Sequence, residues 1–349
     1  MTRYDILMGQ NFTDLSFVGI NGEVISQMKC DVSLAGTKLD TLLSEHDGNS
    51  YMLYDVQDLI PVGDAIAMPV FRNGHAVYNN FVQQLDLRYY NSNKSQTVSR
   101  KIIPAASVLG YSWTENFGRF LTVQPVVQKT NYQANEWLWF LMNYNENVDD
   151  VVLKISLKSA GNQTFVKSVV VDGYMKDKLL CVDVSPEFVA ALFVAEIDKK
   201  YIANYTVWLE NGSTRISEKR EYHLTKGSAY DVQLLVLNSF GLWDTVSVTA
   251  GQKNSKEFDV QVSENRRKVK LESAGWIDRY SFTITDLEQG WLKYLLEVIV
   301  SRKVYLRDGG ELKPIVCTTK NYDDFYNTKI QDEATLEFRG ENFNRSVKV

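Results

Sequence analysis

Short runs of alternating apolar and polar residues recur along the chain and constrain its fold more than any other feature. In the run 151–158, Leu153, Ile155 and Leu157 alternate with polar residues. Successive side chains of a strand point to opposite faces, so this pattern predicts a half-buried β-strand. The same alternation occurs at 205–209, 258–262, 280–285 and 334–338. Turn signals such as Asn73-Gly74 and Asn211-Gly212 separate the runs, which predicts a mainly β protein.

Two segments have helical features instead. Ser185 can cap a helix that has Pro186 at its first position and continues into the apolar run 188–195. The second helix is predicted near 287–299, after a capping box at 285–288. Its apolar positions recur at helical spacing and form one face: Leu287, Trp291, Tyr294, Leu295 and Val298.

The length of 349 residues suggests two or three domains. We predict an N-terminal β domain at 1–108, then a β-sandwich of the immunoglobulin or fibronectin type at 109–228. A C-terminal β domain at 229–349 should carry the one packed helix near 287–299.

Composition argues against several functional classes. The net charge of -5, from 43 acidic and 38 basic residues, is unlike that of proteins that bind nucleic-acid phosphates. The widely separated Cys30, Cys181 and Cys317 form neither a disulfide framework nor a zinc motif. Phosphate-binding loops, nucleophile elbows and zinc-protease helices have no match in the sequence. We therefore expect a protein that is not an enzyme and that uses no cofactor or metal.

No segment has the length or apolar character of a membrane span or a signal peptide. The longest apolar stretch, Phe188–Ala195, is far shorter than the roughly 20 residues that a helix needs to cross a bilayer. The first residues contain only a very short apolar run, Ile6–Met8. The expectation is a protein that is not exported and does not insert into membranes.

Clusters of charged residues are interpreted mainly as solvated loops. Adjacent aspartates point to opposite faces of a strand, so the pairs Asp149-Asp150 and Asp323-Asp324 do not suit glycosidase chemistry, although loop calcium binding stays open. The cluster 45–48 ends in a turn and is interpreted as a surface loop. The basic run 266–268 is either a solvated hairpin or a docking patch for an acidic partner.

The tryptophans raise the possibility of sugar binding. Trp137 and Trp139 would share one face of a strand, where they could stack on a sugar or fill a sandwich core, and core burial is the favoured interpretation. Trp139 and Trp243 are the candidate glycan contacts if the chain binds carbohydrate.

The most informative segment is Leu234–Thr245, where an apolar strand ends in Asn-Ser-Phe-Gly before a new strand. Together with the later Ser301–Leu306, it resembles tail or baseplate proteins of phages and prophages of Bacteroidota. Those proteins carry an N-x-F/Y-G-x-x-D-T turn and a terminal S-x-x-V-Y-L strand in a C-terminal β domain. The resemblance covers Tyr230–Val349, and Ser301-Arg302-Lys303 is more basic than the pattern.

This resemblance implies a structural virion component, assembled in the host cytoplasm, that acts by binding copies of itself, as a ring or trimer, and other virion proteins. The alternative hypothesis is a carbohydrate-binding β-sandwich protein that contacts host glycans; a hydrolase is the third. Under the first hypothesis the important residues are architectural: Asn238, Phe240, Gly241 and Asp244 at the turn, with Trp291 and Leu295 docking the helix. Gly241 is expected to adopt a positive φ.

Overall fold

The computed structural model describes seventeen stretches of the chain, and the following account concerns these stretches. They comprise residues 7–8, 15–17, 27–46, 51–53, 56–61, 66–90, 95–103, 118–144, 148, 150–172, 176–227, 231–265, 268–285, 290–308, 310–320, 333–341 and 344–348.

The elements are mainly strands, as the alternating pattern predicts. The first part of the chain contains β1 (Leu7–Met8), β2 (Leu15–Phe17), β3 (Gln27–Leu34), β4 (Thr37–His46), β5 (Tyr51–Leu53), α1 (Val56–Leu59), β6 (His75–Tyr78), β7 (Gln83–Tyr90) and β8 (Ser95–Ile103). The middle part contains β9 (Val127–Thr130), β10 (Trp137–Leu141), β11 (Val151–Ser159), β12 (Thr164–Val170), β13 (Leu179–Asp183), α2 (Pro186–Leu192), a 3-10 turn (Lys199–Tyr201), β14 (Ile202–Asn211), β15 (Thr214–Arg215) and β16 (Arg220–Leu224). The last part contains β17 (Asp231–Leu237), β18 (Trp243–Asn265), β19 (Lys268–Thr285), α3 (Trp291–Val300), β20 (Val304–Asp308), β21 (Glu311–Cys317), β22 (Glu333–Gly340) and β23 (Asn344–Lys348).

The first sheet has seven strands in the order β1-β8-β7-β3-β4-β5-β2. Its buried face follows the alternation of β7, where Leu85, Leu87 and Tyr89 are buried. They pack with residues of β3 and with Val56 of α1 in one apolar cluster.

The middle part contains two sheets that share one core. A six-stranded sheet has five strands in the order β12-β11-β14-β16-β9 and a sixth, β15, paired to β14, and a three-stranded sheet runs β10-β13-β6. Alternate residues of β11 pack against Leu138 and Phe140 of β10 and Leu180 of β13. The three-stranded sheet is also buried on its other face, so β10 is apolar on both sides.

The three-stranded sheet joins two of the predicted domains. Strand β6, from the predicted region 1–108, pairs with β13, from the region 109–228, with Ala76 opposite Cys181. The predicted domain boundaries themselves stay a prediction.

The last sheet closes on itself. Its order is β18-β17-β20-β21-β22-β19, and β19 also pairs with β18, so six antiparallel strands form a ring. The interior is apolar, with Leu234, Phe282 and Leu336 among its buried side chains. Helix α3 packs into the same cluster through Tyr294 and Leu295. Closure removes sheet edges at this level of the barrel.

Two strands of the barrel continue far beyond it. Strand β17 pairs with β18 only as far as Thr249, whereas the pairing of β18 with β19 continues to Asn265 opposite Lys268. The short strand β23 pairs with β19 at 273–276. We call the paired segments 251–265 and 268–283 the arm.

Both predicted helices exist, with altered bounds for the second. Ser185 caps α2, since its Oγ accepts a hydrogen bond of 3.4 Å from the N–H of Phe188. Helix α3 begins at Trp291, after Gly290 with a φ of +101°, so it starts later than the predicted 287. Residues 286–289, which include all of the predicted capping box 285–288 except Thr285, lie outside the described residues.

Within the described stretches, no helix has the length and apolar character needed to cross a bilayer.

Gly74 offers a direct test of the contact between the β6 turn and α2. Its φ is +77°, and a Cβ added there would collide with the ring of Phe188. Gly36 has a similar φ of +81° and no atoms near its Cβ position. We predict that Gly36→Ala costs about 1–2 kcal/mol for the backbone conformation alone. Gly74→Ala should cost about 1–3 kcal/mol more because of the clash.

Chemical unfolding of the two variants measures this difference. Equal losses in the free energy of unfolding for both variants would contradict the packing of Phe188 on this turn.

Candidate functional site: a buried polar junction

The turn between β17 and β18 is organised by the side chain of Asn238. Its Oδ1 accepts hydrogen bonds from the backbone N–H groups of Phe240 (3.0 Å) and Leu242 (3.1 Å). The Gly241 N–H donates to the Asn238 carbonyl, and Gly241 has a φ of +75°, as the sequence predicts. The asparagine side chain therefore holds the loop in one conformation while glycine supplies the left-handed residue.

The apolar residues of this turn are buried where three parts of the chain meet. Phe240 and Leu242 pack in one cluster with Trp139 of the three-stranded sheet and with Phe81 and Ile103 of the N-terminal part. Burial of two large side chains from one short turn fastens the barrel to both of the other parts.

The backbone carbonyl of Trp243 accepts two indole N–H groups. Trp137 Nε1 donates to it at 2.6 Å and Trp139 Nε1 at 2.8 Å. Trp243 Nε1 in turn donates to the carbonyl of Ile66 at 2.8 Å. A carbonyl oxygen has two lone pairs, so this group is fully used in joining β18 to β10.

Asp244 is a buried carboxylate in the same junction. It accepts hydrogen bonds from Thr122 Oγ1 (2.8 Å) and Asn238 Nδ2 (3.1 Å). Burial raises the pKa of Asp244 to about 7, with the nearby Glu297 adding to the rise, while the two hydrogen bonds and Arg220 oppose it. Desolvation favours the protonated form of a carboxyl that has no direct cationic partner.

Glu136 is the second buried carboxylate. Thr245 Oγ1 donates to it at 2.8 Å and Thr130 Oγ1 at 3.2 Å. Burial raises the pKa of Glu136 to about 7, and the hydrogen bonds from the surrounding hydroxyls limit the rise. Glu136 therefore links the segment before β10 to the start of strand β18.

Glu297 connects helix α3 to the turn. Its carboxylate accepts from Ser239 N–H at 3.0 Å and from Ser239 Oγ at 2.6 Å. These two bonds supply hydrogen-bond donors to both oxygens of the buried Glu297 side chain. They also fix helix α3 relative to the residues that follow β17.

Gln124 and Arg220 complete the network from the middle part. Gln124 Nε2 donates to the Thr245 carbonyl (2.5 Å) and to Tyr294 Oη (3.2 Å). The buried guanidinium of Arg220 donates to the Gln124 carbonyl at 2.8 Å and pairs with Glu218 at 2.9 Å. Direct hydrogen bonds thus join the barrel and helix α3 to the middle part of the chain.

The predicted architectural residues fall in two places. Asn238, Phe240 and Gly241 form the turn and Asp244 follows it as the second residue of β18, whereas Trp291 and Leu295 are buried in the barrel cluster. The candidate glycan contacts do not fit that role. Trp139 is only 1% exposed and Trp243 only 4%, so neither presents a ring face to a ligand in solution.

Sequence reasoning missed Glu136, Glu297, Thr122 and Gln124. The available signal was a single acidic residue in an otherwise largely apolar stretch: Glu297 interrupts 291–300, and Glu136 directly precedes the apolar strand β10. Such acids are mostly exposed in proteins, so the pattern alone does not reveal burial.

Several other charged candidates lie outside the described residues: Asp149, Asp323-Asp324, Asp47-Gly48 and Arg266-Arg267. In the described part of the chain, no three His, Cys, Asp or Glu side chains are grouped so that they could hold a metal ion. The thiols of Cys30, Cys181 and Cys317 are free.

A scan against protein-family models finds no match to this chain, and neither does a search of curated proteins.

The chemistry of the junction is that of a structural joint. Its carboxylates are buried and already hydrogen-bonded, and its amides and indoles bridge separate parts of the chain. Such a network specifies one relative arrangement of those parts.

We predict that Asn238→Ala lowers the free energy of unfolding by roughly 3 kcal/mol or more, because it removes four hydrogen bonds and leaves the buried Asp244 short of a donor. The control is Asn254→Ala on the exposed arm, which should change stability by less than about 0.5 kcal/mol. Urea unfolding measures both variants, and similar losses would contradict a central role for Asn238.

The raised pKa of Asp244 predicts a pH dependence of stability. The folded protein binds a proton at Asp244 up to about pH 7, whereas an unfolded aspartate releases it near its ordinary value of 3.8. This contribution to stability is complete below about pH 4 and is lost as the pH rises through 7. Asp244→Asn should reduce the decline by up to about 1.4 kcal/mol per pH unit.

Unfolding free energies measured from pH 4.5 to 8 test this prediction. Asp150→Asn, at an exposed carboxylate, serves as the control and should follow the wild-type curve. Identical curves for Asp244→Asn and wild type would contradict a protonated Asp244 in the folded state.

Proposed function

We propose that this chain is a non-enzymatic structural subunit of a phage virion, in the tail or baseplate. In this proposal it binds copies of itself in a symmetric assembly, together with other virion proteins. It uses no cofactor and binds neither nucleic acid nor the membrane interior. The observation that supports the proposal best is the arm formed by β18 and β19.

The arm has neighbouring strands on its β19 side, where β22 and β23 pair at 279–285 and 273–276, but no described strand beside β18 beyond Thr249. Residues 251–258 of β18 are exposed on both faces. The pairing from Gly251 to Asn265 corresponds to a length of roughly 45 Å. Beyond β23 the described arm is a two-stranded hairpin, and such hairpins are only marginally stable in water by themselves, so this end of the arm suits an element that is completed by another chain.

The outer edge of β18 is open along the arm. No described strand pairs with this edge beyond Thr249. An open edge has unpaired backbone N–H and C=O groups and is a template for a strand from another molecule. Strand addition of this kind suits a subunit that contacts its neighbours in a repeating array.

The arm also carries an exposed apolar contact. Phe258 is 65% exposed and stands opposite the half-buried Trp276 in the β18–β19 register. The ammonium of Lys256 lies 4.7 Å from the centre of the Trp276 ring. Aromatic side chains are enriched at the cores of protein interfaces.

The polar junction supports the same proposal because it fixes the barrel relative to the paired sheets of the middle part. A ring closes only if each subunit presents its two contact faces at a constant angle. Buried bridges such as Thr122 to Asp244 and Thr245 to Glu136 join the start of β18, the strand that continues into the arm, to the middle part.

Two finer assignments belong to this proposal. The paired sheets of the middle part would form a sandwich of the immunoglobulin or fibronectin type, and the C-terminal barrel with α3 would be the β domain with one packed helix. The site of action would be the virion, after assembly in the host cytoplasm.

Glycan binding is the second candidate function. It requires a different surface from the predicted one, because Trp139 and Trp243 are buried. Trp208, a half-exposed tryptophan of strand β14, supports this candidate.

Light scattering across a concentration series, followed by negative-stain microscopy, tests the assembly proposal. We expect a defined oligomer with a mass that is a multiple of 39.9 kDa. Phe258→Asp should shift it towards the monomer, because the substitution places a charge in the proposed contact. Val194→Asp is a matched control, since Val194 is also highly exposed but lies outside the arm.

A monodisperse monomer at all concentrations would overturn the proposal. Equal dissociation by Phe258→Asp and Val194→Asp would overturn the assignment of the contact to the arm.

A further inference from the structure

A surface groove separate from the arm lies on the outer face of the sheet that contains β11, β14 and β16. A groove of about 310 Å³ is formed there by residues of β11, β14, β16 and the segment that leads into β9. Its lining consists of Val126, Val127, Ser156, Thr206, Trp208, Lys219 and Glu221. This volume lies at the lower end of the range for small-molecule sites.

Three hydrogen-bonding side chains form a row across the floor of the groove. The strand register places Ser156 opposite Thr206 and Thr206 opposite Glu221. Neighbouring strands are about 4.8 Å apart, so the row presents polar groups at regular intervals. All three residues are half-buried, which limits their motion.

Much of the hydrogen-bonding capacity of this row is unused. The Ser156 and Thr206 hydroxyls make no hydrogen bond to a described residue, and each can donate and accept. Glu221 Oε1 is bonded to His223 Nε2 at 2.7 Å, while no described residue bonds its Oε2. The floor therefore offers two hydroxyls and one carboxylate oxygen to a ligand.

Trp208 provides an aromatic wall that is held in place. Its Nε1 donates to Glu210 Oε1 at 2.7 Å, and Glu210 is in turn 3.7 Å from Lys154 Nζ. The ammonium of Lys219 lies 4.7 Å from the centre of the indole ring. Because Lys219 is an exposed, flexible side chain, it can move aside and leave the ring to a ligand.

We propose that this groove binds a neutral oligosaccharide. The apolar C–H face of a pyranose ring packs on the Trp208 indole, and the sugar hydroxyls bond Ser156, Thr206 and Glu221. A neutral ligand is favoured because Lys219 and Glu221 balance each other in charge at the groove. The proposal concerns the second candidate function and does not depend on the arm.

Isothermal titration calorimetry with a panel of neutral hexasaccharides (cellohexaose, laminarihexaose, chitohexaose and a linear mannohexaose) tests it on the full chain. At least one should bind with a Kd of about 1 mM or tighter. Trp208→Ala should weaken that binding at least about tenfold through loss of the stacking surface. Glu221→Gln, which keeps the size of the side chain, should weaken it as well.

Tyr201→Ala is the matched control. Tyr201 is an exposed aromatic residue that also has a lysine ammonium, that of Lys200, 4.9 Å from its ring centre, but it lies on the 3-10 turn outside the groove. The Tyr201→Ala variant should bind the saccharide as the wild type does, and circular dichroism verifies that each variant is folded.

Absence of binding to the whole panel would overturn the proposal, and so would equal loss of binding in the Trp208 and Tyr201 variants. Neither outcome changes the oligomeric state measured by light scattering, so this proposal and the assembly proposal can fail separately.

Discussion

Two indole N–H groups and one backbone carbonyl form the connection on which the rest of the structure depends. Trp137 and Trp139 both donate to the carbonyl of Trp243, which ties the three-stranded sheet to the first residue of β18. Strand β18 is part of the closed barrel and of the arm. This carbonyl, together with the neighbouring bonds of Asn238, Asp244 and Thr245 to the middle part, fixes the orientation of both.

The buried carboxylates around this point carry an energetic cost that hydrophobic residues would avoid. Removing a carboxylate from water is unfavourable unless it is protonated or hydrogen-bonded, and Asp244 and Glu136 combine both forms of compensation. Hydrogen bonds have directional geometry that apolar contacts lack. The network therefore selects one docking arrangement between the barrel and the paired sheets of the middle part, as the proposed assembly would require.

Much of the local structure could be predicted because it depends on neighbours in sequence. Strand β11 and helix α2 follow from the alternation of apolar residues and from Ser185-Pro186, and the positive φ of Gly241 follows from the turn pattern. Closure of the barrel could not be predicted, because it depends on the pairing of β17 with β20 and of β19 with β22, whose partners are distant in sequence. The polar junction was hidden for a related reason. Whether Glu136 is exposed or buried depends on Thr245, more than a hundred residues away, so the local pattern around Trp139 and Trp243 does not show that their rings are enclosed.

The continuity of β18 and β19 has a mechanical consequence. Each strand passes from the barrel wall into the arm as a single element, antiparallel to its partner along the whole length. A pull on the arm along its axis would load the hydrogen bonds to β17 and β22 in shear, all together, rather than peel them apart one at a time. The fold is therefore suited to transmit tension from the arm into the barrel and, through the Trp243 carbonyl, into the three-stranded sheet.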